Sequence, residues 1–170
     1  MNEREIVVST TITHPRFIEH NPQCQGVAII VVNRKNDVLL VQQRYDDLQY
    51  GRIRGQWNII TETREEGELV RGTVWRAIQE ELGSTPDDFS VLRGTYRETN
   101  DAYNACLSYG YFYRCIALVY TAHSNRDPNT LFHSLDGEIA QFSWVPFHHL
   151  DRYDIEYGAR LILDNYFYVV

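Results

Sequence analysis

Acidic side chains at helical spacing are the strongest chemical signal in this sequence. Glu80 and Glu81 stand near the end of a segment, 69–82, in which aliphatic residues recur every four positions. That period predicts an amphipathic helix on which positions 77, 80 and 81 share one patch. Carboxylate oxygens are the ligands that magnesium prefers, so this pair is a candidate metal site. The third position of the patch is Ala77, which has no ligand atom.

Further carboxylates precede the helix, at Glu62, Glu65, Glu66 and Glu68. Arg76 lies one helical turn before Glu80 and can pair with it or with Glu68. A plainer interpretation also fits: two glutamates on a helix usually form a solvated face, and carboxylates ahead of a helix favour its positive end. The residues alone leave both a metal site and an acidic surface open.

Strands on both sides of the helix must position these carboxylates. β-Branched and apolar runs predict strands at 4–13, 26–33, 38–44, 56–60, 87–98, 108–122 and 138–147. The second and third of these look like a hairpin, and the first strand of that hairpin is apolar enough to be buried on both faces. Gly83 is a natural helix end, 123–137 is expected to be a loop, and 154–170 predicts a C-terminal helix. This order predicts an α+β domain with a mixed β-sheet packed between α-helices.

Length, charge and cysteine content exclude several classes of protein. The 170 residues fit one domain, and the net charge of -7 argues against a nucleic-acid polymer or an anionic membrane as the main partner. No apolar run reaches the roughly 18–20 residues of a membrane span, and no signal peptide is expected. Cys24, Cys106 and Cys115 are too widely spaced for a disulfide framework or a zinc site, so we expect reduced thiols in a cytoplasmic protein.

The stretch from position 62 to 84 resembles the Nudix box, whose pattern is G-x5-E-x7-R-E-U-x-E-E-x-G-U, with U an aliphatic residue. Six of the nine defined positions match without a gap: Glu68, Arg76, Ile78, Glu80, Glu81 and Gly83. The loop that begins at Trp57 resembles the variant of dihydroneopterin-triphosphate-type pyrophosphohydrolases. The resemblance runs from about residue 25 to the C-terminus. It implies the Nudix fold, with one domain over 1–170, an N-terminal extension at 1–20 and the box within 55–84.

The resemblance also implies an activity, the divalent-metal-dependent hydrolysis of a pyrophosphate bond. Its substrate would be a small nucleoside diphosphate linked to another group, or a nucleoside triphosphate. The candidate Mg²⁺ or Mn²⁺ ligands are Glu80, Glu81, Glu62 and Glu65, of which Glu62 stands where the pattern has glycine. Glu138 stands six residues before Trp144, where some family members place a further metal-linked glutamate. The candidate catalytic residues are therefore Glu80, Glu81 and Glu138.

Other residues receive structural or substrate-binding roles. The resemblance implies that Glu68, Arg76 and Gly83 are structural, with Arg76 holding Glu68. Arginine side chains bind phosphate groups, and aromatic rings stack on nucleotide bases. The candidate substrate-binding residues are therefore Arg44, Arg54, Trp57 and Tyr50. The substrate itself is not specified, because Nudix specificity lies in variable loops, here 45–54 and 123–137.

Two positions depart from the box and leave two main functions open. Ala77 removes a glutamate, and Glu62 replaces the first glycine. Either Glu62 supplies the ligand lost at position 77, or both positions changed after catalysis ceased. The first case is a hydrolase and the second a nucleotide-binding or protein-interaction module. The hydrolase is favoured slightly, because the box keeps its other charged residues.

An enzyme similar to isopentenyl-diphosphate isomerases is disfavoured, because no cysteine stands in a matching place. We expect a nucleotide-like substrate and leave a homodimer open.

Overall fold

A central mixed sheet organises the part of the chain that the structure describes. The computed structural model describes residues 26–48, 51–91, 104–106, 112–122 and 126–167. Its strands are β1 (Gly26–Val32), β2 (Val38–Gln43), β3 (Trp57–Asn58), β4 (Ile60–Thr63), β5 (Phe89–Val91), β6 (Asn104–Cys106), β7 (Phe112–Tyr120) and β8 (Ile139–Val145). Its helices are α1 (Val70–Leu82), α2 (Pro128–Leu131) and α3 (Tyr157–Phe167), with 3-10 turns at Pro86–Asp88 and Phe147–Arg152.

Strand β1 is the centre of the sheet. It runs parallel to β7 and antiparallel to β4 and β2. Strand β2 carries β3 and β8, and β7 carries β5 and β6. All seven residues of β1 are buried, as its continuous apolar sequence predicts.

Alternation along β1 divides the core into two layers. Val27, Ile29 and Val31 belong to one apolar cluster together with the buried face of α1. Ala28, Ile30 and Val32 belong to a second cluster, which includes Ile162 and Leu163 of α3. Successive side chains of a strand point to opposite faces, so the sheet is covered by α1 on one face and by α3 on the other. The predicted α+β architecture is confirmed.

Helix α1 is formed by a stripe of buried side chains. The stripe follows the i, i+3, i+4 rule and consists of Val70, Thr73, Val74, Ala77, Ile78, Glu81 and Leu82. The helix ends at Gly83, whose φ of 63° is left-handed and whose N–H donates to the Gln79 carbonyl. A Cβ at this glycine would lie 2.8 Å from the His133 ring, so both conformation and space require glycine here.

Three local features differ from the sequence-based expectation. The predicted strand 56–60 is broken at Ile59, because Trp57 pairs with β2 whereas Ile60 pairs with β1. The predicted hairpin is splayed, since its register joins β1 to β2 only at Val32 and Val38. The predicted loop 123–137 contains the short helix α2, which begins where the Asp127 side chain accepts from the Asn129 N–H. The predicted strand 4–13 lies outside the described residues.

None of the described helices has the length and apolar character needed to cross a membrane.

Candidate active site

Arg76 of α1 is the centre of an ion-pair network. Its guanidinium lies 3.0 Å from Glu68, 3.1 Å from Glu62, 3.5 Å from Glu80 and 3.9 Å from Glu65. It also donates a 2.7 Å hydrogen bond to the Thr63 carbonyl. The Arg76–Glu68 contact expected from the sequence is present, as two hydrogen bonds of 3.0 Å. Four acidic side chains, from β4, the loop after it and the helix, therefore face the guanidinium of Arg76.

The network fixes the charge of Glu68. Hydrogen bonds from Arg76 lower the pKa of Glu68 to about 2, and its carboxylate also accepts from the Glu65 N–H and the Thr73 hydroxyl. These bonds tie the loop to the first turn of α1. Glu62 behaves differently, because burial raises its pKa more than the neighbouring Arg76 lowers it.

Glu62 occupies a regular strand position. It lies in β4, where it is paired with Val27 of β1. Its φ is not in the left-handed region that favours glycine. Glutamate is therefore accommodated here without backbone strain, because an extended strand accepts any residue. Alternation puts Glu62 on the same face as the core residue Ile60, which is the face that α1 covers.

Glu81 lies close to the loop before β8. One oxygen each of Glu81, Asp136 and Glu138 lies within 4.8 Å of the other two. We call these three residues the acidic triad. Ligand oxygens of one small divalent cation lie about 2.0–2.6 Å from the ion, so two of them are at most about 4–5 Å apart. The spacing of the triad fits a single cation.

The end of α1 holds the loop that carries Asp136. The Leu135 N–H donates to the Glu80 carbonyl at 2.7 Å, and the His133 N–H donates to the Leu82 carbonyl at 3.2 Å. The last carbonyls of a helix lack partners within the helix, and here the loop supplies them. The loop is thereby fixed one residue away from Asp136.

Within the loop, hydrogen bonds orient the Asp136 side chain. Its Oδ1 accepts from the Glu138 N–H at 3.0 Å and from the Ser134 hydroxyl. Gly137, with a φ of 76°, turns the chain between the two acidic residues of the loop. Asp136 and Glu138 are thus brought to the same side of the loop.

Glu81 is the buried member of the triad. It is 8% exposed, and no hydrogen bond or ion pair reaches its carboxyl group from the described part of the chain. Burial raises the pKa of Glu81 to about 8, with a further contribution from Asp136 and an opposing one from Arg52. Burial and Asp136 also raise the pKa of Glu138. The site thus holds carboxyl groups whose negative charge is poorly stabilised by the protein.

Arg52 is the cation nearest to the triad. It lies 3.5 Å from Glu138 and donates a 2.7 Å hydrogen bond to the Thr61 hydroxyl. A cavity of about 10 Å³ is lined by Arg52, Glu138 and Glu81. Such a space is close to that of one water molecule. The cavity therefore suits a water or an ion, and a substrate must lie outside it.

The structure separates the predicted site residues into two groups. Glu81 and Glu138 come together in the triad. Glu62, Glu65 and Glu80 face Arg76, and their assignment as metal ligands stays a prediction.

The predicted substrate-binding residues lie in different places. Arg44 adjoins the triad, because its N–H donates to the Glu138 carbonyl at 2.8 Å and its guanidinium donates to the Ile139 carbonyl at 3.0 Å. Arg54 is exposed. Trp57 packs edge to face on Tyr153, with ring centroids 5.3 Å apart, in the layer covered by α3. That layer is opposite the one that carries Glu81. Tyr50 lies outside the described residues.

Comparison with known proteins assigns the chain to a family. The NUDIX domain family matches residues 22–166. The chain belongs to the Nudix family. A sequence comparison with curated proteins finds no match. The family match covers the box, the triad and both helical layers of this Nudix protein.

Solved Nudix structures share its fold at low sequence identity. An Ap4A hydrolase binary complex from C. elegans is 11% identical with a TM-score of 0.61, covering 83% of this chain and 94% of that one. The dihydroneopterin triphosphate pyrophosphohydrolase of E. coli is 14% identical with a TM-score of 0.54, covering 82% and 91%. The NUDIX domain of Shewanella oneidensis NrtR, complexed with ADP ribose, is 15% identical with a TM-score of 0.51, covering 91% and 96%.

Asp136 and Arg52 are the site residues that the sequence analysis missed. Asp136 lies two residues before Glu138, and a pair of acidic residues at this spacing was the available signal. Arg52 lies in the same arginine-containing loop as Arg54, and its contacts with Glu138 and Thr61 show that it is the one that turns inward.

Proposed function

We propose that this Nudix protein hydrolyses a pyrophosphate bond in a small nucleoside diphosphate derivative or nucleoside triphosphate, with Mg²⁺ or Mn²⁺. The observation that carries the proposal is Glu81, a buried carboxyl group that faces Glu138 and Arg52 and receives no hydrogen bond from the residues that the structure describes. Because Glu81 is buried, it does not belong to a solvated acidic face of the helix.

The energetics of burial support this interpretation of Glu81. A carboxylate removed from water is strongly destabilised unless it is paired or bound to a metal. Arg52 supplies one positive charge to three acidic residues. A divalent cation supplies two further charges and stabilises the ionised form of all three. The residues present therefore fit the metal that the family generally uses.

The residues of the chain have distinct roles in the proposed reaction. Glu81 and Glu138 would hold the cation. A bound divalent cation neutralises phosphate oxygens and favours ionisation of a water molecule. Arg52 lies beside the same space and can donate hydrogen bonds to a phosphate oxygen. The Arg76 network holds the loop before α1, and so fixes β4 relative to the helix that carries Glu81.

The size of the cavity limits where the substrate binds. Because it holds only about 10 Å³, the nucleotide-like part must lie outside it. The described parts of the adjoining loop, 45–48 and 51–54, border this side through Arg52 and carry the exposed side chains of Leu48 and Ile53. We place the substrate against this loop. The proposal also includes the expected cytoplasmic location and leaves a homodimer open.

The test is an assay for phosphate or mononucleotide release with Mg²⁺ and then Mn²⁺. Its substrates are nucleoside triphosphates, ADP-ribose, nucleotide sugars and dinucleoside polyphosphates. We expect Glu81→Gln to reduce kcat by at least about a hundredfold, because removal of a metal ligand weakens every contribution of the cation.

Glu66→Gln is the matched control. Glu66 is exposed, and the substitution makes the same change of charge in the loop before α1. It should leave kcat unchanged. Full activity in Glu81→Gln would contradict the proposed site, whereas equal loss in both variants would point to net charge as the cause.

A second candidate function is nucleotide binding without turnover. The burial of Ala77, which is 0% exposed within the core, favours it, because a carboxylate of the Nudix box is absent there. Calorimetry with ADP-ribose separates the two functions. Binding that occurs without Mg²⁺ and without release of any product would support the binding module.

A further inference from the structure

We propose that Asp136 supplies the third carboxylate of the metal site, in place of the glutamate that the Nudix box has at position 77. The inference rests on the proposed function and deepens it. It moves one metal ligand from helix α1 to the loop before β8.

Position 77 has become part of the apolar core. Ala77 is 0% exposed and packs in the cluster that contains Val74 and Ile78. The side chain has no polar atom, and a carboxylate at this place would have to be buried among apolar groups. Helix α1 therefore provides only one buried carboxyl group, that of Glu81.

Glu62 is a poor substitute for the missing glutamate. Its carboxylate lies 3.1 Å from Arg76, and its next backbone N–H, that of Thr63, also donates to it at 3.0 Å. Both contacts are on Oε1, and a cation at the other oxygen would lie beside the positive charge of Arg76, which disfavours its binding there. Glu65 and Glu80 contact the same guanidinium.

Asp136 is already in place. One of its oxygens lies within 4.8 Å of oxygens from Glu81 and Glu138. Its Oδ1 accepts both hydrogen bonds from the loop, so Oδ2 remains for a ligand. The bonds from Leu135 and His133 to the end of α1 hold the loop against the helix that carries Glu81. The three carboxylates are thus held close enough to approach one ion.

An independent observation indicates that the triad binds a ligand. Glu81 is more than nine-tenths buried, faces the triad and receives no hydrogen bond from the described residues. A buried acidic group in a native protein normally has a partner. The ionised form of Glu81 needs a cation or a hydrogen-bond donor, because the carboxylates of Asp136 and Glu138 only accept. Arg52 alone leaves an excess of negative charge.

Calorimetric titration with Mn²⁺ alone tests the assignment on the full chain. Asp136→Asn should raise the Kd for Mn²⁺ by at least about tenfold. Loss of a residue that only orients a metal ligand already costs about 10–100-fold in affinity, and loss of a ligand should cost no less. Asparagine keeps the oxygen that accepts from Ser134 and Glu138, so the loop should retain its conformation. Equal melting temperatures of the two metal-free proteins would verify that. Asp87→Asn, at an exposed site in a 3-10 turn, is the matched control for charge.

The outcomes distinguish this inference from the proposed function. Loss of Mn²⁺ affinity in Asp136→Asn and Glu81→Gln, but not in Glu62→Gln or Asp87→Asn, supports Asp136 as the third ligand. Loss in Glu81→Gln with wild-type affinity in Asp136→Asn overturns the inference and leaves the metal site standing. Absence of Mn²⁺ binding by the wild-type protein overturns both.

Discussion

Arg76 shows how one side chain can set the acid sensitivity of this protein. The pKa of Glu68 falls from 4.5 to about 2 because Arg76 donates hydrogen bonds to it. A carboxyl group with a lowered folded-state pKa contributes stability above its unfolded pKa and loses it as the pH falls. That contribution is therefore present above pH 4.5 and is lost toward pH 2.

We expect Glu68→Gln to remove about 1–2 kcal/mol of the change in the free energy of unfolding between these pH values. Solvent screening at the loop makes this smaller than the full pKa shift would give. Urea denaturation of both proteins between pH 2 and 4.5 measures it. The other carboxyl groups titrate in both proteins, so the difference isolates Glu68. Parallel pH profiles would show that the ion pair does not stabilise the fold.

Arg52 tests the substrate side of the site. If Arg52 binds a phosphate oxygen, Arg52→Gln should raise KM by about tenfold or more, the value of a lost charge-assisted hydrogen bond, with a smaller change in kcat. Steady-state kinetics on the best substrate measures both constants. Arg34→Gln, at an exposed turn between β1 and β2, is the control. An unchanged KM in Arg52→Gln would remove Arg52 from the phosphate site.

At the scale of elements, the end of α1 joins the helix to the loop that carries Asp136. Gly83→Ala should lower the free energy of unfolding by about 1 kcal/mol for its positive φ, plus a further cost for the contact with His133. Gly55→Ala is the matched variant, because Gly55 has a φ of 83° and no atom near its missing Cβ. Chemical denaturation should show the larger loss in Gly83→Ala. Equal losses would mean that the His133 ring moves aside freely.

The elements also show what local sequence can predict and what it cannot. The four-residue period of α1 and its glycine end are local properties, and the helix is found where they place it. The meeting of Glu81 with Asp136 depends on hydrogen bonds between segments more than 50 positions apart in the chain, which no local pattern records. The layer that Trp57 enters could not be predicted for a similar reason, because it depends on the break at Ile59.

At the scale of the whole molecule, metal binding should stabilise the fold. A ligand that binds only the folded state at 100 times its Kd adds about 2.7 kcal/mol, which for a chain of this size is roughly 5–10 °C in Tm. Mn²⁺ should therefore raise the Tm of the wild-type protein and leave that of Glu81→Gln unchanged. Thermal denaturation with Mn²⁺ and with a chelator measures the shift, and an equal shift in both proteins would place the ion elsewhere.

The central position of β1 has a consequence for amide hydrogen exchange. Over Gly26–Ile29 this strand is paired with β4 on one edge and with β7 on the other, and both of its faces are buried. No local opening can expose these amides without separating the two layers of the core. Their exchange with deuterium should therefore report the opening of the whole sheet, and a single strand becomes a probe of global stability.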